Sequence, residues 1–147
     1  MHDGEVNGKI LVVDDEWPMR ELLRIKLSKV GYSVITAKNG EEFRRCAFDE
    51  KPDLIILDIW LGKEGGGPMI YDDLVNRGFD RTIPVIFISA LVEKDSPPRR
   101  APKGGRFALY GKPFDFDLIL KDVQQMLKDR QMPSFKRITE SQKKNGE

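Results

Sequence analysis

Short apolar runs alternate with amphipathic stretches along most of this chain, a pattern typical of strands and helices in α/β proteins. Three runs are apolar almost throughout and indicate strands buried on both faces of a parallel sheet. They are Lys9–Val13, Asp53–Leu57 and Pro84–Ser89. Tyr32–Ala37 and Phe107–Gly111 are weaker runs, and the mixed polarity of the first is typical of an edge strand. The pattern therefore predicts a doubly wound, five-stranded parallel sheet.

Four amphipathic stretches predict helices between and after these strands. In Trp17–Val30, apolar residues recur at steps of three and four, and Pro18 suits the first helical turn. Asn39 is a typical capping residue for a short second helix that continues to about Asp49. The remaining two helices are expected at Pro68–Arg77 and Asp115–Arg130.

The segment 91–106, between the fourth and fifth strands, breaks the alternation. It contains three prolines and two glycines, and proline removes a backbone donor and clashes with the preceding helical turn. We therefore expect an irregular, extended connection where a fourth helix would otherwise lie. Four cations also fall between Arg99 and Arg106, which is typical of a solvated loop and leaves a docking surface as the alternative. A second glycine-rich stretch, Trp60–Gly67, predicts a loose loop.

Composition limits the class of protein. The chain has 147 residues, which suits one domain, and its formal net charge is +1, so we expect neither nucleic acid nor a membrane surface as a partner. The single cysteine, Cys46, excludes an internal disulfide and fits a cytoplasmic protein. We expect a folded domain at residues 9–130, flanked by flexible segments at 1–8 and 131–147.

Three carboxylates, one hydroxyl and one ammonium lie where the buried strands are predicted to end. Asp14 and Asp15 follow the first strand and Asp58 follows the third, while Ser89 and Lys112 close the fourth and fifth. Because ligands of open parallel sheets bind beyond the carboxyl ends of the strands, these five side chains should lie close together. Three adjacent carboxylates repel one another unless a cation lies between them, and hard divalent ions such as Mg²⁺ (or Mn²⁺) prefer oxygen ligands.

The set also suits phosphoryl transfer. A carboxylate can accept a phosphoryl group as an acyl phosphate, and the ammonium of Lys112 can neutralise the charge that arrives with it. A hydroxyl such as that of Ser89 can donate a hydrogen bond to the new phosphate oxygens and so convert a local charge change into a change of surface.

These motifs resemble the response-regulator receiver domain of two-component signalling. The matching pieces are ILVVDDE (10–16), DLIILDIWL (53–61), PVIFISA (84–90) and GKPF (111–114). The resemblance implies flavodoxin-like strand order 2-1-3-4-5, with Asp58 as phosphoacceptor and Lys112 and Ser89 as its assisting residues. It implies metal ligation by Asp14, Asp15, Asp58 and the backbone carbonyl of Trp60. It also implies a histidine kinase or phosphotransfer protein as donor, and catalysis limited to the domain's own phosphorylation and dephosphorylation.

One family feature is missing from this chain. The family places an aromatic switch residue three positions before the lysine, where this chain has Leu109. Phe107 shares the strand parity of that position and Tyr110 is adjacent, so all three are switch candidates beside Ser89. The segment after residue 130 is too short for an output domain. We therefore expect a stand-alone regulator that acts through an unknown downstream protein or passes its phosphoryl group along a relay.

Two other functions fit part of the pattern. A phosphorylation-independent binding module would explain Leu109 and the irregular 91–106 segment. A small phosphohydrolase that works through an aspartyl-phosphate would use the same nucleophile. Such enzymes place a second acid two residues after the nucleophile, and Trp60 at that position argues against this alternative.

Overall fold

The computed structural model describes residues 7–61, 66–90, 99–100 and 106–131, with the backbone alone at 99, 100 and 131. The strands are β1 (Lys9–Val13), β2 (Ser33–Ala37), β3 (Leu54–Asp58), β4 (Val85–Ser89), β5 (Arg99–Arg100) and β6 (Phe107–Gly111). The helices are α1 (Trp17–Lys29), α2 (Gly40–Asp49), α3 (Gly67–Asn76) and α4 (Phe116–Gln131). Most of the two segments expected to be flexible, 1–8 and 131–147, falls outside the described residues.

One sheet runs through the molecule in the order β2-β1-β3-β4-β6-β5. The five longer strands pair in parallel, which confirms the predicted five-stranded parallel sheet and its 2-1-3-4-5 order. β2 lies at one edge, as its mixed polarity predicted. Strand order reverses between β1 and β3, so the ends of these two neighbouring strands form the crevice where such sheets bind ligands.

A sixth strand at the other edge corrects the prediction from the sequence. β5 lies antiparallel to β6, with Arg99 opposite Leu109 and Arg100 opposite Ala108. Two prolines precede β5 in the sequence and favour an extended backbone, and β6 would otherwise leave a row of backbone groups unpaired. The rest of the segment, 91–98 and 101–105, lies outside the described residues. The four helices found in the described part fit the predicted replacement of a helix between β4 and β6.

Apolar side chains alternate between the two faces of the sheet and form two core layers. One layer packs against α1 and α4, and the other against α2 and α3. The first includes Ile10, Val12, Leu23, Leu54, Ile56, Ile86, Ile119 and Val123. The second includes Leu11, Val13, Phe43, Ile55, Leu57, Ile70, Leu74 and Val85. All five residues of β3 are buried, so this central strand holds Asp58 rigidly at its end.

Local sequence signals explain where the helices begin. The side chain of Asn39 caps α2 as predicted, because its Oδ1 accepts a hydrogen bond from the backbone N–H of Glu42 at 2.8 Å. Pro18 lies in the first turn of α1. The apolar face of α1 is narrower than its pattern suggests, because Leu23 is buried while Leu22 is 43% exposed. None of the helices in the described ranges is long and apolar enough to span a membrane.

The end of the glycine-rich stretch is tightly packed, which corrects the expectation of a loose loop up to Gly67. Gly67 begins α3, and its backbone N–H donates to the carbonyl of Ile59 at 2.7 Å. A Cβ atom at this position would lie 2.3 Å from the carbonyl oxygen of Asp58. Glycine is therefore required at residue 67 because α3 starts directly against the end of β3.

Candidate functional site

The polar residues singled out in the sequence lie together at the carboxyl ends of the parallel strands. These strand ends form one side of the sheet, which is called the carboxyl edge below. Asp14 directly follows β1, Asp58 ends β3, Ser89 ends β4 and Lys112 directly follows β6. The registers align these ends, since Val13 lies opposite Leu57, Asp58 opposite Ile88 and Ser89 opposite Gly111. The backbone N–H of Lys112 donates to the carbonyl of Ser89 at 2.9 Å, which fixes the lysine beside the end of β4.

Three carboxylates form a compact cluster at this edge. One oxygen atom from each of Asp14, Asp15 and Asp58 lies within 4.8 Å of the other two. Asp14 and Asp58 are buried, and Asp15 is exposed at the mouth of the site. Backbone groups orient the buried pair. Asp14 Oδ1 accepts from the N–H of Glu16 at 2.8 Å, and Asp58 Oδ1 accepts from the N–H of Trp60 at 3.1 Å.

The ammonium of Lys112 reaches three carboxylates. Its Nζ atom lies 2.8 Å from Asp14 Oδ2, 2.9 Å from Glu16 Oε1 and 3.5 Å from Asp58 Oδ2. The lysine side chain is only 10% exposed. A single ammonium thus contacts three carboxylates, and its distance to Asp58 is the longest of the three.

One carboxylate oxygen of the cluster lacks a well-aligned hydrogen-bond donor. Asp14 Oδ2 is 2.8 Å from Lys112 Nζ, yet this buried oxygen has no hydrogen-bond partner of suitable geometry in the described part of the chain. The short distance therefore marks an ion pair that is not aligned as a hydrogen bond. A buried oxygen of this kind, beside two further carboxylates, fits a hard cation with oxygen ligands.

Electrostatics at the site shift the proton affinities of all three buried groups. Burial, together with the charge of Asp14, raises the pKa of Asp58 to about 6. Burial also raises the pKa of Asp14 above its ordinary value. Burial lowers the pKa of Lys112, but the contacts with Asp14 and Glu16 outweigh it and leave this pKa above its ordinary value. Lys112 therefore stays charged at neutral pH, and in the absence of a divalent ion both aspartates keep their protons to a higher pH than an ordinary aspartate does.

The switch candidates lie on two different faces of the sheet. Phe107 belongs to the layer with α2 and α3, where it packs against Phe87 with ring centroids 6.1 Å apart. Leu109 is partly buried and shares the strand parity of Phe107. Tyr110 is buried in the opposite layer, where its hydroxyl donates to Asp122 of α4. Ser89 is buried and has the same strand parity as Phe87.

Two residues at this edge were missed in the sequence. Glu16 contacts Lys112 across 96 positions of the chain, and Arg20 Nη1 donates to the backbone carbonyl of Asp14 at 2.8 Å. The only signal for Glu16 was its place directly after Asp14 and Asp15. Trp60 donates its backbone N–H to Asp58, while the residue as a whole is 54% exposed.

The comparisons with known proteins agree with this geometry. The model of the response regulator receiver domain family matches residues 10–124. Sporulation initiation phosphotransferase F of Bacillus subtilis (strain 168) is 33% identical over 122 residues, which cover 83% of this chain and 95% of that protein. A probable transcriptional regulator ycf27 of Guillardia theta is 39% identical over 89 residues, 60% of this chain and 34% of that protein. The chain thus spans about a third of the length of that regulator.

A solved structure supports the same assignment. The response regulator protein TrrA from Thermotoga maritima, in complex with Mg²⁺-BeF, has a TM-score of 0.64 and 30% sequence identity. The match covers 80% of this chain and 97% of that chain. Since the family model covers most of the chain, the chain belongs to the response regulator receiver domain family, whose receiver domains are signalling modules of two-component phosphorelay systems and not metabolic enzymes.

Proposed function

We propose that this chain accepts a phosphoryl group on Asp58 from a histidine kinase or a phosphotransfer protein. It then acts as a stand-alone regulator, through altered contacts with a downstream protein or by passing the phosphoryl group along a relay. The single cysteine, Cys46, fits a cytoplasmic place for this exchange. Neither nucleic acid nor a membrane is part of the proposal.

The observation that carries the proposal is the position of Asp58. Its carboxylate ends the central buried strand, shares a cluster with Asp14 and Asp15, and lies 3.5 Å from the Lys112 ammonium. A buried carboxylate next to another carboxylate is costly for a structural role alone, because both charges are desolvated and repel each other. The arrangement suits a nucleophile whose product carries negative charge that nearby cations neutralise.

The proposed reaction uses this geometry. The carboxylate of Asp58 attacks the phosphorus of a phosphohistidine, the phosphorus–nitrogen bond breaks, and the imidazole leaves with the electron pair. Without a divalent ion, burial and the charge of Asp14 raise the pKa of Asp58 to about 6, which still leaves its carboxylate largely ionised at neutral pH and able to attack. Lys112 neutralises charge on the transferred group, and the backbone N–H of Trp60 keeps the carboxylate oriented.

A divalent ion belongs to the same proposal. The ligands are assigned to three carboxylates and one backbone carbonyl: Asp14, Asp15, Asp58 and Trp60. When bound, Mg²⁺ or Mn²⁺ supplies positive charge for the oxygens of the phosphoryl group. The exposed position of Asp15 leaves the mouth of the site open to water ligands, which Mg²⁺ usually retains.

Ser89 is proposed as the switch hydroxyl that reports phosphorylation. It is buried at the end of β4, and strand parity places it on the face of Phe107 and Leu109. Tyr110 lies on the other face and is held by Asp122, so it is the weakest of the three switch candidates. We propose that a hydrogen bond from Ser89 to the phosphoryl oxygens moves the end of β4 and repacks the side chains at positions 107 and 109.

The test is phosphoryl incorporation measured by intact-protein mass spectrometry. Acetyl phosphate and purified histidine kinases would serve as donors, with Mg²⁺ or with a chelator. We expect one phosphoryl group that requires both the divalent ion and Asp58. Asp58→Asn should abolish incorporation. Asp53→Asn is the matched control, because Asp53 lies at the opposite end of β3 and pairs with Arg130. Equal incorporation in Asp58→Asn, or none from any donor in the wild type, would contradict the proposal.

A phosphorylation-independent binding module remains the second candidate. The observation in its favour is that Leu109 occupies the position where the family has an aromatic switch residue. The affinity of the wild type and of Asp58→Ala for a downstream partner distinguishes the two, with and without a phosphodonor. Equal affinities under all conditions support the module, whereas a change that requires both the donor and Asp58 supports the phosphorylated regulator.

A further inference from the structure

Glu16 connects the acidic cluster to Lys112 in a way that the proposed function does not use. Its Oε1 atom lies 2.9 Å from the lysine ammonium, closer than Asp58 Oδ2 at 3.5 Å. Its backbone N–H donates to Asp14 Oδ1 at 2.8 Å. One residue therefore orients Asp14 through its main chain and contacts Lys112 through its side chain.

The side chain of Glu16 is not used for helix capping. Glu16 is the N-cap residue of α1, in extended conformation, yet its carboxylate makes no capping hydrogen bond within this fully described helix. The carboxylate instead extends across the edge of the sheet to a residue 96 positions away. Glutamate is not among the residues that usually cap a helix through the side chain, and the carboxylate of Glu16 pairs with Lys112 and not with the free backbone N–H groups of α1.

An ion pair on a protein surface usually contributes little to stability, and Glu16 is 62% exposed in its side chain. The Lys112 side chain, in contrast, is 10% exposed and lies between buried carboxylates. A weak contact with Glu16 is enough to favour one position of the Lys112 ammonium over another, because Asp14 and Asp58 both attract it. The consequence concerns the position of Lys112 and not the stability of the fold.

We propose that Glu16 is a positioning residue, which holds the Lys112 ammonium on the Asp14 side of the site until a phosphoryl group reaches Asp58. This inference rests on the proposed function. During transfer, negative charge on the incoming group draws Lys112 towards Asp58 and away from Glu16. An interaction that is stronger before the reaction than in its transition state slows the reaction. Glu16 therefore restrains phosphorylation in the resting protein.

The first test measures the rate of phosphoryl incorporation from acetyl phosphate at saturating Mg²⁺. We expect Glu16→Gln to react about three- to fivefold faster than the wild type, the size expected for the loss of one partly exposed ion pair. The control is Glu21→Gln, which removes a carboxylate of the same helix that pairs with Arg24 and does not contact Lys112. A rate for Glu16→Gln that is unchanged, slower or equalled by Glu21→Gln would overturn the proposal.

Glu16→Asp separates direct contact from long-range repulsion of the anionic donor. Aspartate keeps the charge but is shorter, and at an N-cap it turns towards the first backbone N–H groups of the helix. If contact with Lys112 is the cause, Glu16→Asp should react as fast as Glu16→Gln. A wild-type rate in Glu16→Asp, with acceleration in Glu16→Gln alone, would overturn the positioning role.

A spectroscopic test needs no phosphorylation. The ¹⁵N resonance of Lys112 Nζ, assigned by its loss in Lys112→Arg, and the amide resonance of Trp60, which donates to Asp58, report the position of the ammonium. We expect both to shift in Glu16→Gln and neither to shift in Glu21→Gln. Unchanged resonances in Glu16→Gln would overturn the inference. If the wild type takes no phosphoryl group, the proposed function fails, and these resonances still decide whether Glu16 holds Lys112.

Discussion

Asp58 and Asp14 are buried acids beside a shared ammonium, and this determines how the site responds to pH. Lys112 is closer to Asp14 than to Asp58, so Asp58 is the less well compensated of the two. Burial is the first cause of its raised pKa, and the charge of Asp14 adds to it. The cost of keeping Asp58 ionised is therefore a property of the folded state without a divalent ion.

Asp58→Asn should stabilise the metal-free protein at alkaline pH. The pKa of Asp58 rises from 3.8 to about 6 on folding. The contribution of Asp58 to the free energy of unfolding is therefore fully present below about pH 3.8 and is lost as the pH rises through 6. At pH 8 the variant should gain on the order of 2 kcal/mol in free energy of unfolding, and the gain should vanish near pH 4. Urea unfolding in a chelator at both pH values measures this.

The control for this pH dependence is Asp49→Asn, which changes an exposed aspartate at the end of α2. Its free energy of unfolding should track that of the wild type at both pH values. A gain for Asp58→Asn that is equal at pH 4 and pH 8, or a loss at pH 8, would contradict the assigned cause.

Asp15→Asn should separate metal affinity from stability. Asp15 is exposed, so its replacement should leave the metal-free melting temperature within the small range of surface substitutions. The variant loses one anionic oxygen ligand, and we expect Mg²⁺ affinity to fall about tenfold or more. Tryptophan fluorescence during Mg²⁺ titration, in a Trp17→Phe background that leaves the half-exposed Trp60 as the emitter, measures affinity. The rise in melting temperature with Mg²⁺ provides a second measure. Equal affinities would exclude Asp15 as a ligand.

At the scale of elements, the contact between β3 and α3 controls the shape of the site. Gly67 packs against the carbonyl of Asp58, and Trp60 forms a bridge with Gly66, so the chain leaves β3 and returns to it within a short span. The end of β3 thus has its side chain in the acidic cluster and its carbonyl against the start of a helix. A shift of α3 would therefore move Asp58.

Gly67→Ala should disturb both stability and chemistry. A Cβ atom 2.3 Å from a backbone oxygen cannot be accommodated, and α3 or the end of β3 must move. We expect a loss of about 1–3 kcal/mol in free energy of unfolding, as for overpacked sites, and slower phosphoryl incorporation. Met69→Ala is the control in the same helical turn, since Met69 is exposed. Wild-type stability and a wild-type rate of phosphoryl incorporation in Gly67→Ala would show that α3 does not constrain Asp58.

At the scale of the whole molecule, the two ends of the parallel strands form opposite edges of the sheet that carry different groups. The carboxyl edge carries the acidic cluster, and the opposite edge carries an ion-pair network centred on Arg130 of α4. Arg130 Nη1 lies 3.1 Å from Asp53 Oδ1, and Nη2 lies 3.4 Å from Asp80 Oδ2. Asp53 also accepts from the backbone N–H of Lys9 at 2.8 Å. The network joins the last helix to the starts of β1 and β3, far from the site.

Arg130→Met should therefore affect stability and leave the chemistry unchanged. The partners are partly exposed and screened by solvent, so we expect a loss of about 1 kcal/mol in free energy of unfolding, which shrinks at high salt. Arg24→Met, which removes a pair on the surface of α1, should cost less. Urea unfolding at low and high salt measures the loss. A changed rate of phosphoryl incorporation in Arg130→Met would contradict the separation of the two edges.

Several features could be predicted from the sequence because they depend on neighbours along the chain. Continuous apolar runs identified β1, β3 and β4, and Asn39 was recognised as a cap because its partner lies three residues away. The roles of the individual site residues stay predictions, although the structure brings Asp14, Asp15, Asp58 and Lys112 together. The family of the chain is confirmed by the comparisons.

By itself, the sequence determined the parallel α/β class and the strand ends on which the polar residues lie, since hydrophobic periodicity and the direction of parallel strands decide both. Tertiary structure alone decided three further features: the pairing of β5 with β6, the close approach of Gly67 to Asp58, and the contact of Glu16 with Lys112. Each depends on the distance between segments that are separate in the chain, and no local pattern of residues specifies such a distance.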